Sequence, residues 1–123
     1  MPVERAADHP TFDLAGNAVT SYAAPGRSGS EVALFRVELP AGSAVPRHHH
    51  DHTESFVVLA GSGTMHLGEE AVAVGEGDVV VVPVGTWHRL EAGAHGVTIV
   101  SAMPASTRFT REDGSTSVPP WVA

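Results

Sequence analysis

His48-His49-His50-Asp51-His52-Thr53-Glu54 leads without a break into Ser55-Phe56-Val57-Val58-Leu59. A run of β-branched and aromatic residues closed by Ala60-Gly61 reads as a strand. If the extended backbone already begins at the histidines, successive side chains alternate between two faces. His48, His50, His52 and Glu54 then share one face, and His49, Asp51 and Thr53 the other. Imidazole nitrogen and carboxylate oxygen are the usual ligands of first-row transition metals, and histidines at i and i+2 of one strand converge naturally. The best source of a further ligand from another strand is His88, in Val84-Gly85-Thr86-Trp87-His88-Arg89-Leu90.

Two plainer readings compete with a metal site. A histidine tract can be a solvated, weakly metal-binding surface segment, or the remnant of a purification tag. The tag fits poorly, because the run is internal, is interrupted by Asp51 and passes directly into an apolar strand. His9, His66 and His95 are isolated and read as surface or hydrogen-bonded histidines; His66, within a strand, has the best chance of the three of facing inward.

Working outward, Glu31–Leu39 alternates as a half-buried strand, with Ala33, Phe35, Val37 and Leu39 as its core face. Strand-like runs follow at 54–60, 63–67, 71–74, 78–82, 86–91 and 96–102, each closed by glycine, proline or both. Upstream, 11–14 and 18–23 form two short strands divided by a Gly16-Asn17 turn signal. Residues 1–10 read as an N-terminal arm. The tail, 105–123, is polar until Val118-Pro119-Pro120-Trp121-Val122, an apolar end expected to dock on its own barrel or on a neighbouring subunit.

Thirteen glycines and nine prolines spread among short valine and leucine runs argue for an all-β chain of many strands and tight turns. At 123 residues there is material for one domain, spanning 1–123. A net charge of −7 without any basic cluster argues against nucleic acid as a partner. The absence of cysteine excludes disulfides, thiol nucleophiles and thiolate ligands. The first ten residues lack the charged start and apolar run of a secretory signal, and no apolar stretch is long enough to cross a bilayer. A cytoplasmic protein with no membrane partner is the expectation.

The sequence resembles the cupin superfamily, whose first motif has the form G-x5-H-x-H-x3-E-x6-G. Gly42, His48, His50, Glu54 and Gly61 stand at those positions. The second motif, G-x5-P-x-G-x2-H-x3-N, finds Gly77, Pro83, Gly85 and His88, with Ala92 where the family often has Asn. The motifs cover 42–61 and 77–92, separated by the short spacer 62–76. The resemblance implies a cupin-type double-stranded β-helix, a jelly-roll barrel, with His48, His50, Glu54 and His88 holding one divalent transition metal: Fe, Mn, Ni, Co, Cu or Zn. It also implies a homodimer, formed by pairing edge strands or exchanging N-terminal segments.

Four protein ligands on an octahedral ion leave two positions for water, dioxygen or a chelating substrate, the open coordination of a catalytic metal. Glu54 and His52 are the candidate catalytic side chains; His52 inherits no role from the motif and rests on the shared strand face. Phe56, Val58, Trp87, Phe35 and Met103, with Met65, are the candidate pocket residues. Such a lining suits a small aromatic or polyketide-like molecule better than a sugar phosphate. Arg36, Arg47 and Arg89 are scattered and form no cluster for a phosphate or carboxylate. The leading expectation is a dioxygenase-like oxidoreductase, closest to the quercetin-dioxygenase-like oxygenases. The alternatives are a non-oxidative cyclase or isomerase using the metal as a Lewis acid, and a non-catalytic sensing or metal-storing barrel. Gly61, Gly77 and Gly85 are read as turn residues.

Overall fold

The computed structural model describes residues 3–123; Met1 and Pro2, the start of the expected arm, lie outside the described residues. Among the described residues ten strands run in chain order: β1 (Thr11–Leu14), β2 (Asn17–Ala23), β3 (Val32–Leu39), β4 (His48–His50), β5 (Glu54–Leu67), β6 (Glu70–Gly75), β7 (Val79–Val82), β8 (His88–Pro104), β9 (Phe109–Arg111) and β10 (Thr116–Ser117). The only α-helical turn among the described residues is α1 (Pro25–Ser28), placed where the sequence signals a loop. Every pairing is antiparallel, and the sheet closes into the expected all-β barrel. β8 is the hub, pairing with β3, β4 and β5, while β5 also pairs with β6 and β7.

The core face of β3 is the one its alternation predicts. Ala33, Phe35, Val37 and Leu39 are buried against Val58, Met65, Val97 and Ile99. Full burial of each large side chain contributes roughly 1.5–3 kcal/mol. Between β1 and β2 the turn falls one residue earlier than expected, at Ala15-Gly16, both with positive φ. Two positive-φ residues suit the twist of a tight hairpin. That frees the Asn17 side chain, wholly buried, to donate to the carbonyls of Leu14 and Ala44 at 2.9 and 3.1 Å and to accept from Ser43 at 2.7 Å.

Two pairs of short runs merge. The runs at 54–60 and 63–67 are one strand, β5, and those at 86–91 and 96–102 are one strand, β8. Gly61 is therefore a bend inside a strand and not a turn between two. Its φ is +76°, and a β-carbon there would drive into the carbonyl oxygen of Gly96; one at Gly63 would drive into that of Glu91. The register between β5 and β8 slips on both sides of this point. Glycine lets the backbones cross closely and the long strands bend without breaking their ladder.

The tail folds back on its own barrel. β9 pairs with β4, Trp121 and Val122 are buried, and the Trp121 ring lies 6.0 Å from that of Phe12. The tail thereby packs beside the histidine strand.

Candidate metal centre

β4 is only three residues long, yet it sits between β8 and β9, with His48 opposite both His88 and Arg111. Directly opposed residues of an antiparallel pair project from the same face. His48 and His88 therefore meet, their ring centroids 4.3 Å apart, and His50 joins them at 4.8 and 4.7 Å. The nitrogens these three rings can offer all lie within 4.8 Å of one another, close enough to hold one metal ion. Glu54, at the start of β5, brings Oε1 to 3.6 Å from His88 Nε2. Its other oxygen accepts a hydrogen bond from Ser101 Oγ, inside the barrel.

Local backbone fixes the tautomers. His48 Nδ1 lies 2.7 Å from the Pro46 carbonyl, and His88 Nδ1 lies 2.8 Å from that of Thr86. A carbonyl only accepts, so the proton sits on Nδ1 and each Nε2 keeps a bare lone pair. His50, 2% exposed, has no partner at either ring nitrogen, and His88 Nε2 is also unpartnered. Its strand is held from behind, since Gly85 N donates to the His50 carbonyl at 2.9 Å. Unpartnered, mutually facing nitrogens of this kind are what a cation would occupy, so the donor set fits a divalent transition metal.

Electrostatics agree with neutral rings. Burial, followed by the neighbouring His88, lowers the His48 pKa to about 3. Burial outweighs the attraction of Glu54 and lowers that of His50 to about 4. For Glu54, burial pushes the carboxyl up, while any positive charge on the facing His88 and His50 rings, together with the hydrogen bond from Ser101, holds it below its ordinary value. Neutral imidazoles beside an ionised carboxylate are the protonation states a metal requires.

The alternation expected for the histidine run ends at His50. Residues 51–53 bend out of the strand because Asp51 is tied elsewhere, accepting from Arg108 N at 2.8 Å. His52 is thereby carried to the surface, where its side chain is 48% exposed and its Nδ1 lies 2.9 Å from Asp51. It does not reach the interior, which corrects its candidacy as a catalytic residue. Trp87 is likewise outside, edge-on to His49 at 4.5 Å and under the Arg47 guanidinium at 4.8 Å. Val58 and Met103 are buried in the core but do not border the cavity. Phe35, Phe56 and Met65 do border it. His66 faces outward and pairs with Glu91 at 3.1 Å.

The cavity itself measures about 140 Å³ and reaches solvent, with His48, Glu54 and His88 at its polar end. Apolar walls from Val37, Leu90, Ile99, Phe109 and Trp121 complete it, together with Arg111. Sequence reading did not single out Phe109, Arg111, Trp121 or Ser101 for the site. The i, i+2 spacing of Phe109 and Arg111 was the one available signal.

The fold is similar to that of several solved structures. Oxalate decarboxylase from Bacillus subtilis matches 80% of the chain at 20% identity with a TM-score of 0.72. KdgF from Halomonas sp. matches 83% at 19% identity and a TM-score of 0.70, and salicylate 1,2-dioxygenase from Pseudaminobacter salicylatoxidans matches 77% at 21% and 0.69. The chain spans 27% of the oxalate decarboxylase and 28% of the dioxygenase, against 93% of KdgF. At these identities the likeness concerns the fold. No curated protein matches the sequence significantly. The family model described as the cupin domain matches residues 35–101, more than half of the chain, and those residues include His48, His50, Glu54 and His88. The chain belongs to the cupin family.

Proposed function

We propose that the chain is a metal-dependent enzyme of dioxygenase type, acting on a small organic molecule, with His48, His50, Glu54 and His88 ligating one divalent ion. The observation that carries this reading is the convergence of three imidazoles with free nitrogens beside the polar end of an apolar, open cavity. Each buried nitrogen left without a partner costs about 1–3 kcal/mol, a penalty that a bound cation removes. The fold similarity to a salicylate dioxygenase adds weaker support.

A divalent transition ion held there supplies Lewis acidity and, where redox-active, electrons for dioxygen chemistry. The chain's own residues do the rest. Glu54 brings the one negative charge, and Ser101 fixes which of its oxygens faces the histidines. Phe35, Phe56, Leu90 and Ile99 exclude water and present flat and branched surfaces to an apolar substrate. Among the described residues, no other acid or base borders the cavity besides Arg111, so Glu54 and the imidazoles are the groups available to accept a substrate proton.

Elemental analysis of untagged protein, followed by oxygen uptake with Fe(II)-, Mn(II)- or Ni(II)-loaded chain and an aromatic diol, tests this. Anaerobic turnover with Zn(II) would replace it with Lewis-acid cyclase or isomerase chemistry. Metal binding with no response to any substrate would point to sensing or storage.

We also infer a homodimer. Val32 and Leu34 of β3, Val100 and Ala102 of β8, Val57 of β5 and Val79 and Val81 of β7 share one outer face by register. Val79 and Val81 are 64% and 56% exposed. A largely apolar face across four strands, interrupted by Ser55 and bordered by Arg36, suits a self-complementary interface. Light scattering should give twice the chain mass, and Val81→Lys should give a monomer.

A further inference from the structure

Among the described residues, Arg111 is the only cation bordering the cavity. It lies opposite His48 in the β4–β9 pair, and Phe109 lies opposite His50. The register sends both side chains toward the histidines, and the Phe109 ring packs 4.3 Å from that of His50. β9 thus lays a guanidinium and an aromatic ring side by side along the wall next to the candidate metal centre.

That guanidinium is not committed to the protein. Arg27, Arg36 and Arg47 have carboxylates at 2.9, 3.8 and 3.9 Å. Among the described residues, no carboxylate lies within 4.0 Å of Arg111. Of its two acidic neighbours in sequence, Glu112 is the partner of Arg47, and Asp113 accepts from Ser115 N at 2.8 Å and feels the Arg111 charge only from beyond contact distance. A free guanidinium on an otherwise apolar wall offers a planar pair of donors matched to a carboxylate, in surroundings that strengthen the bond. The space beside it, about 140 Å³, is of the order that accommodates one benzene ring.

We propose that Arg111 forms a carboxylate-binding subsite, so that the substrate class is a small organic acid with a single ring or a chain of similar bulk. The acid's carboxylate pairs with Arg111, its body packs on Phe109 and Phe35, and its remaining polar atoms face His48 and His88. The substrate class rests on the function proposed above; the anion subsite does not.

The test is calorimetric titration of benzoate and of uncharged benzamide into the full chain, metal-free and Zn(II)-loaded. Benzoate should bind at least about tenfold more tightly than benzamide in both forms. Arg111→Gln should abolish that preference without changing zinc stoichiometry or thermal stability, and Arg111→Lys should keep part of it. Equal binding of the two probes to the unaltered chain overturns the proposal, and this comparison decides the matter even if Arg111→Gln fails to fold. A preference that needs zinc and survives Arg111→Gln puts the carboxylate on the metal and also overturns it. A chain that binds no metal but keeps an Arg111-dependent preference upholds the subsite and overturns the metal-dependent function.

Discussion

Ser101 and Glu54 are joined by a hydrogen bond in the barrel interior, the serine hydroxyl donating to Oε2 while Oε1 faces His88. Both residues are buried, so neither can exchange this bond for one with water. Residues that orient a ligand from behind contribute through geometry and basicity. Ser101→Ala should therefore weaken zinc binding by about 10–100-fold, measured by competition with a chromophoric chelator. Unchanged affinity would mean that the carboxylate does not depend on this bond.

His50 and His49 are adjacent but answer to different environments. The first has two unpartnered nitrogens inside the barrel; the second packs against Trp87 outside. His50→Ala should lower metal affinity by at least about 100-fold, more than loss of a supporting residue costs. His49→Ala should leave affinity within about twofold, since no ligand position is touched. Comparable losses in the two variants would contradict the placement of His48 and His50 as the inward pair.

These contrasts show what was legible in the sequence. Alternation is local, so the inward faces of β3 and of His48–His50 could be read directly, and the glycine-punctuated motifs located His88 opposite them. His52 was misread because Asp51 bonds to Arg108, a partner 57 residues away that no local pattern announces. Ser101 and Arg111 are ordinary residue types on ordinary strands, and only the register of β8 and β9 brings them to the site. Gly61 carried a turn signal that was physically sound, but tertiary pairing with β8 used its freedom for a bend within β5.

That bend makes Gly61 less replaceable than the turn glycine Gly77. Alanine at 61 meets both an unfavourable positive φ and the rigid carbonyl of Gly96, whereas alanine at 77 meets only the former, φ +87° with nothing within 4 Å. The strain alone costs roughly 1–2 kcal/mol, and forced backbone displacement adds more. Gly77→Ala should lose about 1–2 kcal/mol in urea unfolding, and Gly61→Ala at least about 3 kcal/mol or the soluble fold itself. Equal losses would show that the β5–β8 crossing can relax.

Acid should weaken the metal-free chain before its carboxylates titrate. In the unfolded chain an imidazole takes its proton near pH 6.5, whereas in the folded chain burial lowers His48 to about 3 and His50 to about 4. Between those values the unfolded chain binds more protons, so falling pH drives unfolding. The stability tied to these two rings is fully present above about pH 6.5 and is lost progressively toward the folded-state values. With a chelator present, the urea midpoint should fall steadily from pH 7 to pH 5, and the double variant His48→Gln, His50→Gln should show a shallower fall. A midpoint that stays constant over that range in the unaltered chain would mean the two rings are not buried as neutral groups.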